Sequence, residues 1–326
     1  MKIHTPSSAS LPMLSFANHP HPLAQHMPAH GPVRCLWRAD AALGEGALWS
    51  PGEQALYWVD ILGQQLMRWS PARQRRRQWR LAQMVSAVAE RASMPGLLLA
   101  MRDGLYTWDP AHAEQAPQRL CDLGEGPHQR CNDGRCDAQG RFWVGSMDMA
   151  AQAPTGALYR VESTGPGQAR AVRCAQGIAV VNGPTWLADQ RTLLYNDTAQ
   201  GRVMACDFEP DSGALGPARE WLRWTDEDGL PDGMCTDEAG RVWIAHWDGG
   251  CVSCHEPTQG RLLGRIALPV RRVTSCTFGG EDLCTLYITT ARTGLSATEL
   301  AAQPLAGALF SVRLSQPGRL AHRYAG

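Results

Sequence analysis

The chain has 326 residues, enough to bury a large core in one β domain or in two ordinary domains. Basic and acidic residues balance at 31 each, which speaks against a nucleic-acid or membrane-surface protein, since either would show a basic excess. Lys2 is the only lysine, so the chain lacks the well-placed lysine that Schiff-base enzymes and P-loop NTPases need.

Residues 1–31 are rich in His, Pro, Ser and Ala and hold five of the ten histidines. Their composition predicts a disordered extension, with loose metal binding as the alternative. Prolines break any apolar h-region, so no signal peptide is expected and the cytoplasm is the expected location. Met13 and Met27 are alternative starts. The 11 cysteines are odd in number and without framework spacing, as expected of reduced, mostly buried thiols. No apolar stretch is long enough for a transmembrane helix.

From residue 32 to 326 a single domain is expected, because one pattern repeats. A glycine followed by an alternating apolar run occurs at Gly63, Gly104, Gly156, Gly201, Gly250 and Gly307, at intervals averaging about 49 residues. A turn and an aromatic strand precede most of these, as in PGEQALYWVD (51–60), DAQGRFWVGSM (137–147) and DEAGRVWIAHW (237–247). Many short strands at this period predict an all-β fold, a six-bladed β-propeller with four-stranded antiparallel blades. The last glycine-headed strand, 307–314, leaves blade six one strand short. Val33–Ala39 is expected to pair with it and close the ring, hiding a sheet edge. Ser296 with Glu299 three residues on predicts a short helix in 292–304, placed to cover the mouth of the channel.

A polar residue followed by glycine stands at the head of the first strand in several blades: Glu45-Gly46, Asn182-Gly183 and Asp232-Gly233, with Asn132 in CNDG. The spacing of 50 residues between Asn132, Asn182 and Asp232 predicts equivalent positions around one axis. Asn-Gly and Asp-Gly also make hairpin turns. Here the hairpins are already supplied a few residues later, by Asp137-x-x-Gly140 and Asp237-x-x-Gly240, so the polar steps belong at the opposite end of the strand. Two carboxylates and two amides form the donor set of a hard divalent cation: Ca²⁺ first, with Zn²⁺, Mn²⁺ or Mg²⁺ as alternatives.

The motifs LGEGALW, RCNDGRCDAQGRFWVGSM, VNGPTWLADQRTLLYNDT, LPDGMCTDEAGRVWIA and CTFGGEDLCTLYITTA resemble, in order, those of the SMP-30/gluconolactonase family, which includes regucalcin and the bacterial sugar lactonases. The resemblance runs from about Val33 to Val312. It implies a six-bladed propeller with one divalent metal in the channel, and hydrolysis of aldonolactones. It also implies that Glu45, Asn182 and Asp232 are metal ligands and that Arg130 and Asn132 bind substrate. Some members carry a substrate-contacting acid shortly after the Gly-Ser-Met step. Ala150 stands at that position here, and Asp148 is the expected substitute.

Lactone opening is acyl transfer to water, and a metal-bound carboxylate can take the water's proton. Asp232 is the expected base, Asp133 the alternative. Arg130 offers a planar fork to sugar hydroxyls or to a developing carboxylate. The ends of the second strands (Met147-Asp148, Asp197-Thr198, His246-Trp247) are expected at the rim, with His246 a strand-end histidine before it is a proton shuttle. The other readings are a non-catalytic Ca²⁺-binding regulatory or interaction propeller, and a metal-dependent esterase or phosphotriesterase. The expected partner is a small sugar lactone; no nucleic acid, membrane or obligate protein partner is expected. Cys251-x-x-Cys254-His255 looks like a haem or zinc motif but falls on a glycine-headed strand. Glu125 imitates the Glu45 motif in what reads as a loop. Arg73 to Arg80 reads as a solvated turn and strand.

Overall fold

A computed structural model describes residues 22–225 and 228–326. The expected extension therefore lies, for residues 1–21, outside the described residues. Six antiparallel sheets are arranged as a β-propeller. Strand β1 (Arg34–Trp37) precedes blade one, which is built from β2 (Gly44–Ser50), β3 (Ala55–Asp60), β4 (Gln65–Ser70) and β5 (Arg75–Arg80). Blade two holds β6 (Val85–Glu90), β7 (Leu97–Met101), β8 (Gly104–Trp108) and β9 (Gln118–Asp122). Blade three holds β10 (Gln129–Cys136), β11 (Phe142–Asp148), β12 (Gly156–Gly165) and β13 (Gln168–Ile178). In blade four, β14 (Val181–Trp186), β15 (Thr192–Asp197) and β16 (Arg202–Glu209) are followed by the two-residue β17 (Ala214–Leu215) and by β18 (Arg219–Arg223), both paired with β16. Blade five holds β19 (Leu230–Thr236), β20 (Val242–Trp247), β21 (Cys251–His255) and β22 (Leu262–Ala267). Blade six holds β23 (Val273–Gly279), β24 (Thr285–Thr290) and β25 (Leu309–Arg313), and β1 completes it by pairing antiparallel with β25, Arg34 opposite Ser311. Each glycine-headed segment of the sequence is the third strand of a blade.

The burial gradient explains the composition of each strand. Inner and second strands are covered on both faces by neighbouring blades, so β3 (ALYWVD) and β11 (FWVGSMD) are buried throughout and need not alternate. Outer strands face water on their long edge, and β5 (RRRQWR) is exposed except at Trp79. Trp143 and Trp243 are fully buried and tie the turns to the core through their indole N–H, each donated to the carboxylate of Asp137 or Asp237 at 2.9 Å. Each carboxylate also takes the Nε of Arg141 or Arg241 at 2.6 Å, so both copies of the D-x-x-G-R-x-W motif are buried ion-paired turns.

Two features lay outside the sequence reading. Residues 22–31, assigned to the extension, pack on the propeller. Ala24 is fully buried, the carbonyl of His26 accepts from Arg241 Nη1 at 2.8 Å, and His30 bridges Leu314. At the other end, residues 315–326 cross the floor of the channel as a strap. Gly318 bridges Asp237, His322 bridges Cys136 and Tyr324 bridges Arg91, so one segment touches blades five, three and two. The only α-helix among the described residues, α1 (Ala297–Ala302), starts with the expected capping box of Ser296 and Glu299. Its own Leu300 and the flanking Leu295 and Leu305 pack on the core of blades five and six. Among the described residues no helix is long and apolar enough to cross a membrane.

Candidate active site

The innermost strand of each blade breaks register near the same height. The breaks fall between Glu45 and Leu48, Cys131 and Gly134, Asn182 and Thr185, and Pro231 and Met234. Each break is a bulge, which puts an extra residue on the strand and re-aims its side chains. The glycine that follows each polar residue is needed by this geometry. Gly46 and Gly183 have φ of 59° and 56°, a left-handed backbone where a side chain would be strained. At Gly233 an added Cβ would stand 2.6 Å from Ser275 Oγ, and at Gly134 2.6 Å from the ring of Phe142. The same break in β6 and β23 lies at Ser86 and Thr274. Their hydroxyls are committed to the carbonyls of Ala100 and Gly44. No glycine follows either residue, so the sequence held no signal for them.

Glu45, Arg130, Asn132, Asn182, Thr198 and Asp232 line a cavity of about 260 Å³ at this end of the channel. Leu43, Met147, Val180, Leu230 and Trp247 form its apolar walls. Of the expected rim residues, Met147, Thr198 and Trp247 reach the cavity. Asp148 does not: its carboxylate accepts the backbone N–H groups of Gln152 and Ala153 at 3.0 and 3.1 Å and caps that turn. Asp197 pairs with Arg202 at 2.8 Å. His246 is held by the carbonyl of Asp228 at Nδ1 and by Ser253 Oγ at Nε2, with the Trp224 ring packed beside it, as a satisfied strand-end histidine would be. Helix α1 does not line the cavity, because its leucines draw it onto blades five and six instead of across the mouth.

The polar residues form one network. Arg130 Nη1 donates to Asn132 Oδ1 at 2.7 Å and to the carbonyl of Cys131 at 3.0 Å. Asn132 Nδ2 donates to Asn182 Oδ1 at 2.6 Å and to the carbonyl of Val181 at 2.9 Å. Asn182 Nδ2 donates to Thr198 Oγ1 at 3.0 Å, and Thr198 donates to the carbonyl of Pro231 at 2.8 Å. Asn196 Nδ2 holds the backbone carbonyl of Asp232. Asp133 faces away from the cavity lining. Its two oxygens accept from the N–H groups of Gly134 and Gly183 at 2.8 and 2.9 Å, stapling the bulge of blade three to that of blade four.

The electrostatics single out Glu45 and Asp232. Burial pushes both carboxyls well above the usual carboxylate range; Asp232 and Asp133 push Glu45 further, and Asp133 does the same to Asp232. Burial also draws the Arg130 guanidinium down to about 10, against the pull of Glu45 and Asp232. Asp232 Oδ1 is buried with no hydrogen-bond partner. A buried, under-compensated acid pair with an open oxygen, beside an amide oxygen, suits a divalent cation held by oxygen. Glu45, Asp232 and Asn182 fit that role.

Elsewhere, Cys251, Cys254 and His255 are buried in β21, with His255 bound to Ser253 Oγ and the carbonyl of Gly260. The motif lies along β21, a strand as its sequence context implied. Glu125 accepts from the hydroxyls of Ser146 and Tyr159, both at 2.6 Å, and so serves as a loop acid.

A ring of six blades whose inner bulges converge on an acid pair, two amides and an arginine defines a propeller with a polar pocket at one end of its channel. A sequence model of the SMP-30/gluconolactonase/LRE-like region matches residues 43–292, and the chain belongs to this family. It is 37% identical over 297 residues to a 6-deoxy-6-sulfogluconolactonase of Pseudomonas putida, covering 90% of this chain and 99% of that one. It is 34% identical over 284 residues to regucalcin of Danio rerio, covering 86% and 93%. The crystal structure of a calcium-binding regucalcin from Agrobacterium tumefaciens superposes with a TM-score of 0.84 at 27% identity, covering 92% of this chain and 99% of that one.

Proposed function

We propose that this protein is a divalent-cation-dependent hydrolase of sugar lactones, with Glu45, Asn182 and Asp232 holding the cation. The observation that carries the reading is the buried Glu45–Asp232 pair, with Asp232 Oδ1 free of any partner, in one cavity with Arg130 and Asn132. Family membership and the sulfogluconolactonase relative support a sugar lactone as the substrate class. The all-oxygen donor set favours Ca²⁺ over softer ions.

A cation held there supplies a Lewis acid for the lactone carbonyl and lowers the pKa of a nearby water. The Asp232 carboxylate would take the proton of the attacking water as the water's oxygen bonds to the carbonyl carbon. Opening the ring breaks the bond from the carbonyl carbon to the ring oxygen, which takes back the proton held by Asp232 and leaves as a hydroxyl. The product is a hydroxy acid. Arg130 has N–H groups beyond those that Nη1 commits to Asn132 and the carbonyl of Cys131, and these orient the lactone and meet its developing carboxylate. The apolar walls exclude water from the side of the ring that does not react. A cation-binding propeller without catalysis would not need an arginine and a second amide facing the same cavity.

The test is hydrolysis of a panel of aldonolactones by chelator-stripped and reconstituted protein, with spontaneous opening subtracted. Activity should require the added cation. Metal-loaded protein that opens none of the panel faster than background sinks the reading.

A further inference from the structure

Both ends of the hydrogen-bond chain around the cavity have a fixed polarity. Arg130 can only donate, so its 2.7 Å bond makes Oδ1 the accepting side of Asn132. The NH₂ of Asn132 must then point to the carbonyl of Val181 and to Asn182 Oδ1. At the far end the carbonyl of Pro231 can only accept, and it takes the hydroxyl proton of Thr198 at 2.8 Å. A hydroxyl has one proton. Thr198 Oγ1 can therefore only accept from Asn182, whose Nδ2 lies 3.0 Å away. A side-chain amide has two nearly isosteric orientations, and its neighbours decide between them. Here the two ends of the chain agree: Oδ1 of Asn182 lies on the side of Asn132.

We propose that Thr198 is a positioning residue for the cation site: its hydroxyl, committed to the carbonyl of Pro231, holds the amide of Asn182 so that oxygen rather than nitrogen is presented to a divalent cation. This rests on the cation reading above. Thr198 belongs to blade four and Pro231 to blade five, so the same hydroxyl also fixes the spacing of Asn182 from the strand that carries Asp232. Without it, the NH₂ of Asn182 loses its acceptor, only Asn132 Nδ2 still holds the amide, and the oxygen is aimed less firmly at a divalent cation. Groups that orient a metal ligand in this way typically change affinity by about 10–100-fold when removed.

The experiment is calorimetric titration of Ca²⁺ into chelator-stripped wild type, Thr198→Val and Thr198→Ser, with melting temperatures recorded for each. Valine keeps the shape and removes the hydroxyl; serine keeps the hydroxyl. The valine variant should bind Ca²⁺ about 10–100-fold more weakly, and the serine variant should stay within about threefold of wild type. Should the valine variant not fold, Thr198→Ala takes its place with the same two outcomes. Wild-type affinity in a folded variant lacking the hydroxyl overturns the proposal and leaves the cation reading standing. A wild type that binds no Ca²⁺, Mn²⁺ or Zn²⁺ overturns both.

Discussion

Replacing Asp232 by Asn keeps the side chain's shape and removes one buried negative charge. In the cation-free protein that charge is a burden on the fold. Asp232 is 4% exposed, its Oδ1 has no partner, and burial together with the nearby Asp133 carboxylate raises its proton affinity. A buried polar group left unsatisfied costs about 1–3 kcal/mol, and a fully charged one more. Retaining a proton between Glu45 and Asp232 relieves part of that, so the lower range applies. Cation-free Asp232→Asn should therefore be more stable than cation-free wild type by about 1–3 kcal/mol, a rise in Tm of about 1.5–4.5 °C for a chain of this size. Calcium should reverse the order. At a concentration about 1,000 times Kd, wild type gains about 4.1 kcal/mol, and the variant, short of a charged donor, gains close to none. Calorimetric melts in chelator and in excess Ca²⁺ read both effects. A cation-free variant that melts below wild type would show that the carboxylate is structural. A Ca²⁺-induced rise equal to that of wild type would remove Asp232 from the cation's donors.

Arg130→Ala should lower kcat/KM for the best lactone by roughly ten- to a few hundred-fold while Ca²⁺ affinity stays within a few-fold; parallel loss of both would make Arg130 part of the cation site. Asp237→Ala removes the carboxylate facing the buried Arg241 guanidinium and should destabilise by about 3–5 kcal/mol, a fall in Tm of about 4–7 °C, whereas a change under about 2 °C refutes the structural role of the motif. Burial draws His246 and His255 down to about 4. The unfolded chain takes up protons near pH 6.5 that the folded chain refuses until about 4, so stability should fall with pH across that window, by on the order of 2–3 kcal/mol per histidine. His255→Gln should flatten the slope, and an unchanged slope in that variant argues against this histidine as the cause.

The blades were legible because their signal is local and repeated. The glycine before each third strand recurs at a steady period, and the second strands are apolar runs wedged between neighbours. The pocket's polar residues were legible for a related reason: a bulge on a crowded inner strand demands glycine, and that glycine marks Glu45, Asn182 and Asp232. What the sequence hid depends on contacts between distant segments. Thr198 acts through a carbonyl 33 positions away in the next blade. Asp148 looked like a rim acid, yet the turn that follows β11 offers it two N–H groups and turns it aside. Residues 22–31 have a tail's composition, but Arg241 and the edge of blade six receive them. The capping box announced helix α1 correctly, while its destination depended on leucines whose partners lie on blades five and six.

The strap at residues 315–326 ties the ring together a second time. The pairing of β1 with β25 closes the propeller around its circumference, yet neighbouring blades otherwise meet mainly through their side-chain faces. A segment whose backbone bridges Asp237, Cys136 and Arg91 links blades five, three and two directly. Any one of these blades that opens locally must also give up its bridge to the strap, so the strap makes the opening of three blades one shared event.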